Sequence, residues 1–313
     1  MRYFVVSFYI ALKCFSDNTF KKINSISKFF REKLTPRSMN LRILFAILHL
    51  QRFLKLTGKN KNKCADVAGE NIRCLLGPNR KINFVWLTQR REALDYAATF
   101  GRDEKIMAQL DDCAAQLNKI VKPLHDMGSP VVLAPMHMVS DILSGIVAGK
   151  AYPGNGTVIV SANAEAYQSE DRRRGGVNLT YCSIHGNNEG IAENIMSACL
   201  SAAKHDTNII IFPDIVPEYT YKTGATFSSR INCTMFGRKA SLHSGVFRLA
   251  KVISAKVIFF YLYYEDGIKI HIHPPMDKKE AFTSMPGLIE SAIREHPQDW
   301  LLWHLHSLYF INH

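Results

Sequence analysis

Apolar residues fall into two regimes along the chain. Up to about residue 125 they recur at helical spacing. Within 41–56, Ile43, Ala46, Ile47, Leu50, Phe53 and Leu54 form one apolar arc, with Arg42, His49, Arg52 and Lys55 off it. Stretches 65–76 and 104–122 repeat the helical period. Beyond residue 125 the pattern becomes short apolar runs at 131–135, 157–162, 179–184, 208–213, 256–264 and 268–274. Their β-branched and aromatic content predicts strands. Helical stretches at 141–148, 189–203 and 242–253 alternate with them. This alternation predicts an α/β fold, a mixed and mostly parallel sheet covered by helices on both faces. An Asp-Gly turn at Asp266 and Gly267 predicts that the last two strands form a hairpin.

Charge divides the chain in two. Of 39 Lys+Arg and 27 Asp+Glu, residues 1–63 hold 14 basic residues and only Asp17 and Glu32, so they carry the whole net charge of +12. Residues 64–313 hold 25 of each sign and are neutral. The expected organisation is a basic helical segment over 1–63 and one α/β domain over 64–313, with a helical lead-in at 64–125. A neutral body argues against a nucleic-acid partner, whose binding surface needs cations across the fold. The basic amphipathic segment fits the interface of an anionic membrane, although packing on the protein's own core gives the same periodicity. The apolar run 3–12 ends at Lys13, short of the roughly 18–20 residues of a spanning helix. Seven cysteines, an odd number with no CxxC pair, predict reduced thiols and neither a zinc site nor a disulfide framework.

Candidate chemistry gathers at strand exits, where open α/β sheets place their functional groups. His137 follows the strand 131–135, and Asp141 lies four residues on, at a helix start. An imidazole with a carboxylate beside it is a general-base pair; the plainer reading is a helix cap at Ser140 or Asp141. Asp214 closes the run Phe212-Pro213-Asp214 at another strand exit, as a loop organiser, a substrate-binding carboxylate or a simple Pro-Asp turn. Arg172, Arg173 and Arg174, followed by Gly175 and Gly176, suit phosphate oxygens or form a solvated loop. No Walker, dinucleotide, GxSxG or HExxH pattern occurs.

Taken in order, these features resemble the lipid A biosynthesis (lauroyl/myristoyl) acyltransferase family, within the glycerolipid acyltransferase-like group, over roughly residues 130–306. The resemblance rests on the strand before His137 and Asp141, on Arg172 to Gly176, and on the strand ending at Asp214. It continues through the turn at Met235-Phe236-Gly237, the Arg248-Leu249-Ala250 helix, the Pro274-Pro275 pair and a closing helix over 296–304. The family's motif sets four residues between His and the acid, whereas three separate His137 from Asp141. The resemblance implies transfer of a fatty acyl group from acyl carrier protein or coenzyme A to a hydroxyl of a membrane glycolipid. His137 would be the base, Asp141 its orienting acid, and Arg172 to Arg174 with Asp214 would contact substrate. It implies no metal and no cofactor beyond the thioester co-substrate, and a place on the cytoplasmic face of the inner membrane. The second reading is a non-catalytic homologue in glycolipid or surface-polysaccharide assembly, motivated by the short His137–Asp141 spacing and favoured if the His137 ring faces the core, or lies beyond hydrogen-bond reach of Asp141 with no pocket alongside.

Overall fold

The structure, a computed structural model, describes residues 59–160, 176–183, 188–215 and 230–305, with Ile43, Phe45, Ala46, Leu48, His49 and Leu50 of a preceding helical stretch. The rest of the basic segment and Arg172 to Arg174 lie outside the described residues.

The lead-in consists of three helices, α1 (Lys59–Leu76), α2 (Phe84–Tyr96) and α3 (Glu104–Asp126). Asn83 caps α2 by accepting the Trp86 N–H, and Asp103 caps α3 by accepting the N–H groups of Lys105 and Ile106. The α/β body then runs β1 (Val131–Pro135), α4 (Asp141–Lys150), β2 (Asn155–Val160), β3 (Asn178–Ser183), α5 (Asn188–Ala203) and β4 (Asn208–Ile210). It continues with β5 (Arg230–Met235), β6 (Arg238–His243), α6 (Gly245–Val252), β7 (Lys256–Tyr264), β8 (Ile268–Ile272) and α7 (Lys278–Glu295), and a 3-10 turn (Leu301–His304) follows.

Six strands form one sheet in the order β3-β2-β4-β1-β7-β8. All neighbours are parallel except β7 and β8, whose antiparallel pairing matches the expected hairpin. The apolar runs are continuous because the central strands are buried on both faces. Along β7, Val257, Phe259 and Tyr261 enter one core with α6, α7 and Trp300. Ile258, Phe260 and Leu262 enter the other with α3 and α4. β1 divides the same way, Val132 and Ala134 against Val131 and Leu133, by the two-residue period of a strand.

Two expectations need correction. The helix placed at 242–253 begins only at Gly245; residues 238–243 are β6, paired antiparallel with β5. The turn between them, Phe236-Gly237, has positive φ at both positions (51° and 72°), the backbone of a tight hairpin. The Glu290 carboxylate accepts the Phe236 N–H at 2.6 Å, and the Arg294 guanidinium lies 4.8 Å from the Phe236 ring centre. The expected closing helix over 296–304 is a turn at 297–299, closed by the Asp299 N–H donating to the His296 carbonyl, then the extended residue Trp300 and one 3-10 turn. Its backbone is engaged elsewhere: the Val139 N–H donates to the Asp299 carbonyl, and the Leu301 N–H to the His137 carbonyl.

Candidate active site

His137 and Asp214 leave the carboxyl ends of β1 and β4. These strands are adjacent and parallel, so residues 77 apart in sequence arrive side by side. The Ile211 N–H extends the pairing by donating to the Leu133 carbonyl, which carries the β4 exit up to the β1 exit.

The Asp214 side chain is fully buried and ringed by donors. His137 Nδ1 lies 2.7 Å from Oδ1, the His137 backbone N–H donates to both carboxylate oxygens (3.2 and 3.0 Å), and the Trp300 indole N–H donates to Oδ2 at 3.0 Å. A carboxylate can only accept, so Nδ1 carries the proton and Nε2 is left with its lone pair. The Phe212 ring packs 4.4 Å from the imidazole. Burial presses the His137 pKa downward, but the charge and hydrogen bond of Asp214 outweigh it. Asp141 adds to them and Arg91 opposes, and the net direction is upward.

Asp141 therefore does not take the orienting position expected of it. It makes no hydrogen bond to His137 among the described residues; Arg91 of α2 donates to it at 2.5 Å. Asp141 begins α4, as expected, and His137 precedes that helix. The Met138 N–H donates to the Met136 carbonyl and the Ser140 N–H to the Met138 carbonyl, both at 2.7 Å, so two three-residue turns fold the loop. Val139, at the centre of the second, has φ 60°, a strained value for a β-branched residue. The short spacing is thus absorbed by a tight loop, and Asp141 faces α2. Asp214, expected to contact substrate, is enclosed by His137 and Trp300 instead.

A polar network supports the loop from behind. The Ser140 hydroxyl accepts the Leu143 N–H as cap of α4 and is hydrogen-bonded to Asp95. Burial pushes the Asp95 carboxyl up to about 7, against the opposing effects of the Ser140 hydrogen bond and Arg91. Arg90 forms a buried pair with Asp299, and the second Asp299 oxygen accepts the Tyr264 N–H at 3.1 Å. Burial raises the Asp299 pKa, and Arg90 works against it. Sequence patterns give no signal for Trp300, Arg91 or Asp95, because their roles arise from where α2 and the 297–300 segment pack.

A buried carboxylate that fixes a histidine tautomer at the carboxyl edge of an α/β sheet has the geometry of a general-base pair. The chain belongs to the bacterial lipid A biosynthesis acyltransferase family, whose model matches residues 94–308, spanning β1 to the 3-10 turn and the end of α2. The family carries out acyl transfer and implies, in general terms, a lipid acceptor and an acyl donor. Comparison with curated proteins gives no match. No described helix is long and apolar enough to cross a membrane.

Proposed function

We propose that the protein moves a fatty acyl group from an acyl thioester, on acyl carrier protein or coenzyme A, to a hydroxyl of a membrane glycolipid. The observation that carries this reading is the 2.7 Å contact of His137 Nδ1 with Asp214 in a chain of this family. Nε2 takes the acceptor proton as the hydroxyl oxygen attacks the thioester carbonyl, and Asp214 stabilises the imidazolium. The carbon–sulfur bond then breaks, and the imidazolium returns the proton to the leaving thiolate. The start of α4, beside His137, offers backbone N–H groups that lack acceptors within their helix, suited to the developing oxyanion. Arg172 to Arg174 are assigned to phosphate groups of donor or acceptor on chemistry alone.

The described part of the helical stretch supports a membrane address. Phe45 packs edge-on against Trp86 at 5.3 Å, His49 stacks on Trp86 at 4.1 Å, and Leu48 is buried. Ile43 and Leu50, two members of the apolar arc, are 55 % and 57 % exposed. One face of the helix thus sits on the body. The other presents apolar side chains, and the basic residues 1–63 bring this face to the cytoplasmic surface of an anionic inner membrane.

The non-catalytic reading draws on the lack of a His137–Asp141 contact, but Asp214 supplies the carboxylate that reading finds missing. The test is mass spectrometry of glycolipids from cells with the gene, without it, and with His137→Ala. One acyl mass difference is expected, absent in the deletion and in the variant, where the rate falls by roughly 10²-fold or more. Unchanged lipids would assign the protein a non-catalytic role.

A further inference from the structure

We propose that the groove at the start of α2 is a second binding site, for a phosphate monoester. It is a cavity of about 240 Å³ whose polar wall is Arg80, Lys81, Asn83, Arg90 and Gln298, with Trp86 as its aromatic wall. Three cations line it, with no carboxylate among the described lining residues. The side chains of Arg80 and Lys81 are exposed and make no hydrogen bond or ion pair among the described residues.

Arg90 supplies an independent sign of a missing acceptor. Its side chain is only 7 % exposed. One guanidinium nitrogen serves Asp299 and the Gln298 carbonyl, while its Nε is buried without a partner. Buried donors of this kind are rarely left unmatched, and Arg90 lines the groove beside the exposed cations Arg80 and Lys81, a donor set that suits the oxygens of a phosphate. The groove also meets the first turn of α2, where Asn83 satisfies the Trp86 N–H and the preceding N–H groups lack helical acceptors. Asp299 offsets one of the three charges, leaving an excess that matches a doubly charged phosphate. The remaining volume takes the group to which the phosphate is attached.

The groove is connected to the reaction centre by two elements. Helix α2 carries Arg90 on the groove and Arg91 on Asp141, and Gln298 leads directly to Asp299 and Trp300, which hold the His137 loop and Asp214. Asn83 lies eight residues before Arg91, about 12 Å along the helix. Arg80, Lys81, Asn83 and Arg90 precede residue 94, where the family match begins. The acyl-transfer reading enters only in naming the bearer of the phosphate, either the lipid acceptor or a phosphorylated thioester carrier such as coenzyme A.

Trp86 provides a reporter, because the other tryptophans, Trp300 and Trp303, are fully buried. The full chain is titrated at constant ionic strength with inorganic phosphate, with coenzyme A, and with phosphatidylcholine vesicles containing phosphatidic acid or, as a phosphodiester control, phosphatidylglycerol. A saturable fluorescence change with inorganic phosphate is expected. In R80Q/K81Q, whose melting temperature should match the wild type, affinity should fall at least about tenfold. Tighter saturation by coenzyme A assigns the site to the donor, and tighter saturation by phosphatidic acid assigns it to the lipid. No saturation by any probe, equal affinity in the variant, or an equal loss on phosphatidylglycerol vesicles overturns the proposal. Turnover is not read, so failure of the His137 assignment leaves this result standing.

Discussion

His137 and Asp214 are 77 residues apart in sequence and 2.7 Å apart in space, because β1 and β4 are neighbours in the sheet. The bond passes through Nδ1, so it determines which ring nitrogen is available to a substrate hydroxyl. Asp141, the nearer acid in sequence, acts on the imidazole only through its charge.

That arrangement fixes the direction of a pH effect. The His137 pKa is raised above the ordinary 6.5, and the base must be neutral to accept a proton. Activity should therefore be lost on the acid side of the profile starting at a higher pH than an ordinary imidazole gives. Removing the Asp214 charge leaves burial as the dominant influence, which favours the neutral ring. The acidic limb of kcat/KM should move to lower pH in Asp214→Asn, even as the rate falls. A wild-type limb at or below 6.5, or a limb unmoved by the substitution, would contradict this account of the site.

The buried pair Arg90–Asp299 ties α2 to the segment that covers the active-site loop. Arg90→Met leaves the Asp299 charge buried with only the Tyr264 N–H, and should destabilise the fold by about 3–5 kcal/mol near neutral pH. The double variant Arg90→Met with Asp299→Asn should recover part of that loss. Urea denaturation of the single and double variants measures both. If the two variants are equally stable, the uncompensated charge is not the cause.

The two faces of the N-terminal helix should respond differently to charge. Ile43→Glu with Leu50→Glu alters exposed positions, so the melting temperature should hold while flotation with anionic vesicles drops. Leu48→Glu puts a charge at a buried position and should lower the melting temperature. Vesicle binding unaffected by the exposed pair would remove this face from the membrane proposal.

How far the sequence reveals the structure depends on what each residue faces. β1 and β7 are legible because both their faces are buried, so nearly every residue is apolar. The β5–β6 hairpin is hidden, since its strands are half polar and its turn is Phe236-Gly237 instead of the Asn-Gly or Asp-Gly that normally marks such a backbone. His137 and Asp214 each stand out at a strand exit, but their partnership depends on strand order. Chain order does not supply that order: β4 comes between β1 and β2 in the sheet and after both in sequence. Proximity in sequence points to Asp141 instead, and the two tight turns around Val139 that redirect it toward Arg91 leave no pattern in residue type.

The most direct test of the central claim is the rate of acyl transfer from a thioester donor by Asp214→Asn beside Asp141→Asn, each checked for folding by its melting temperature. Fixing the tautomer through Asp214 predicts a loss of about 10²–10⁴-fold in kcat for Asp214→Asn. Asp141→Asn, which removes a partly exposed ion pair with Arg91, should cost about tenfold or less. A larger loss at Asp141 than at Asp214 would contradict the assignment and return the orienting role to the acid nearer in sequence.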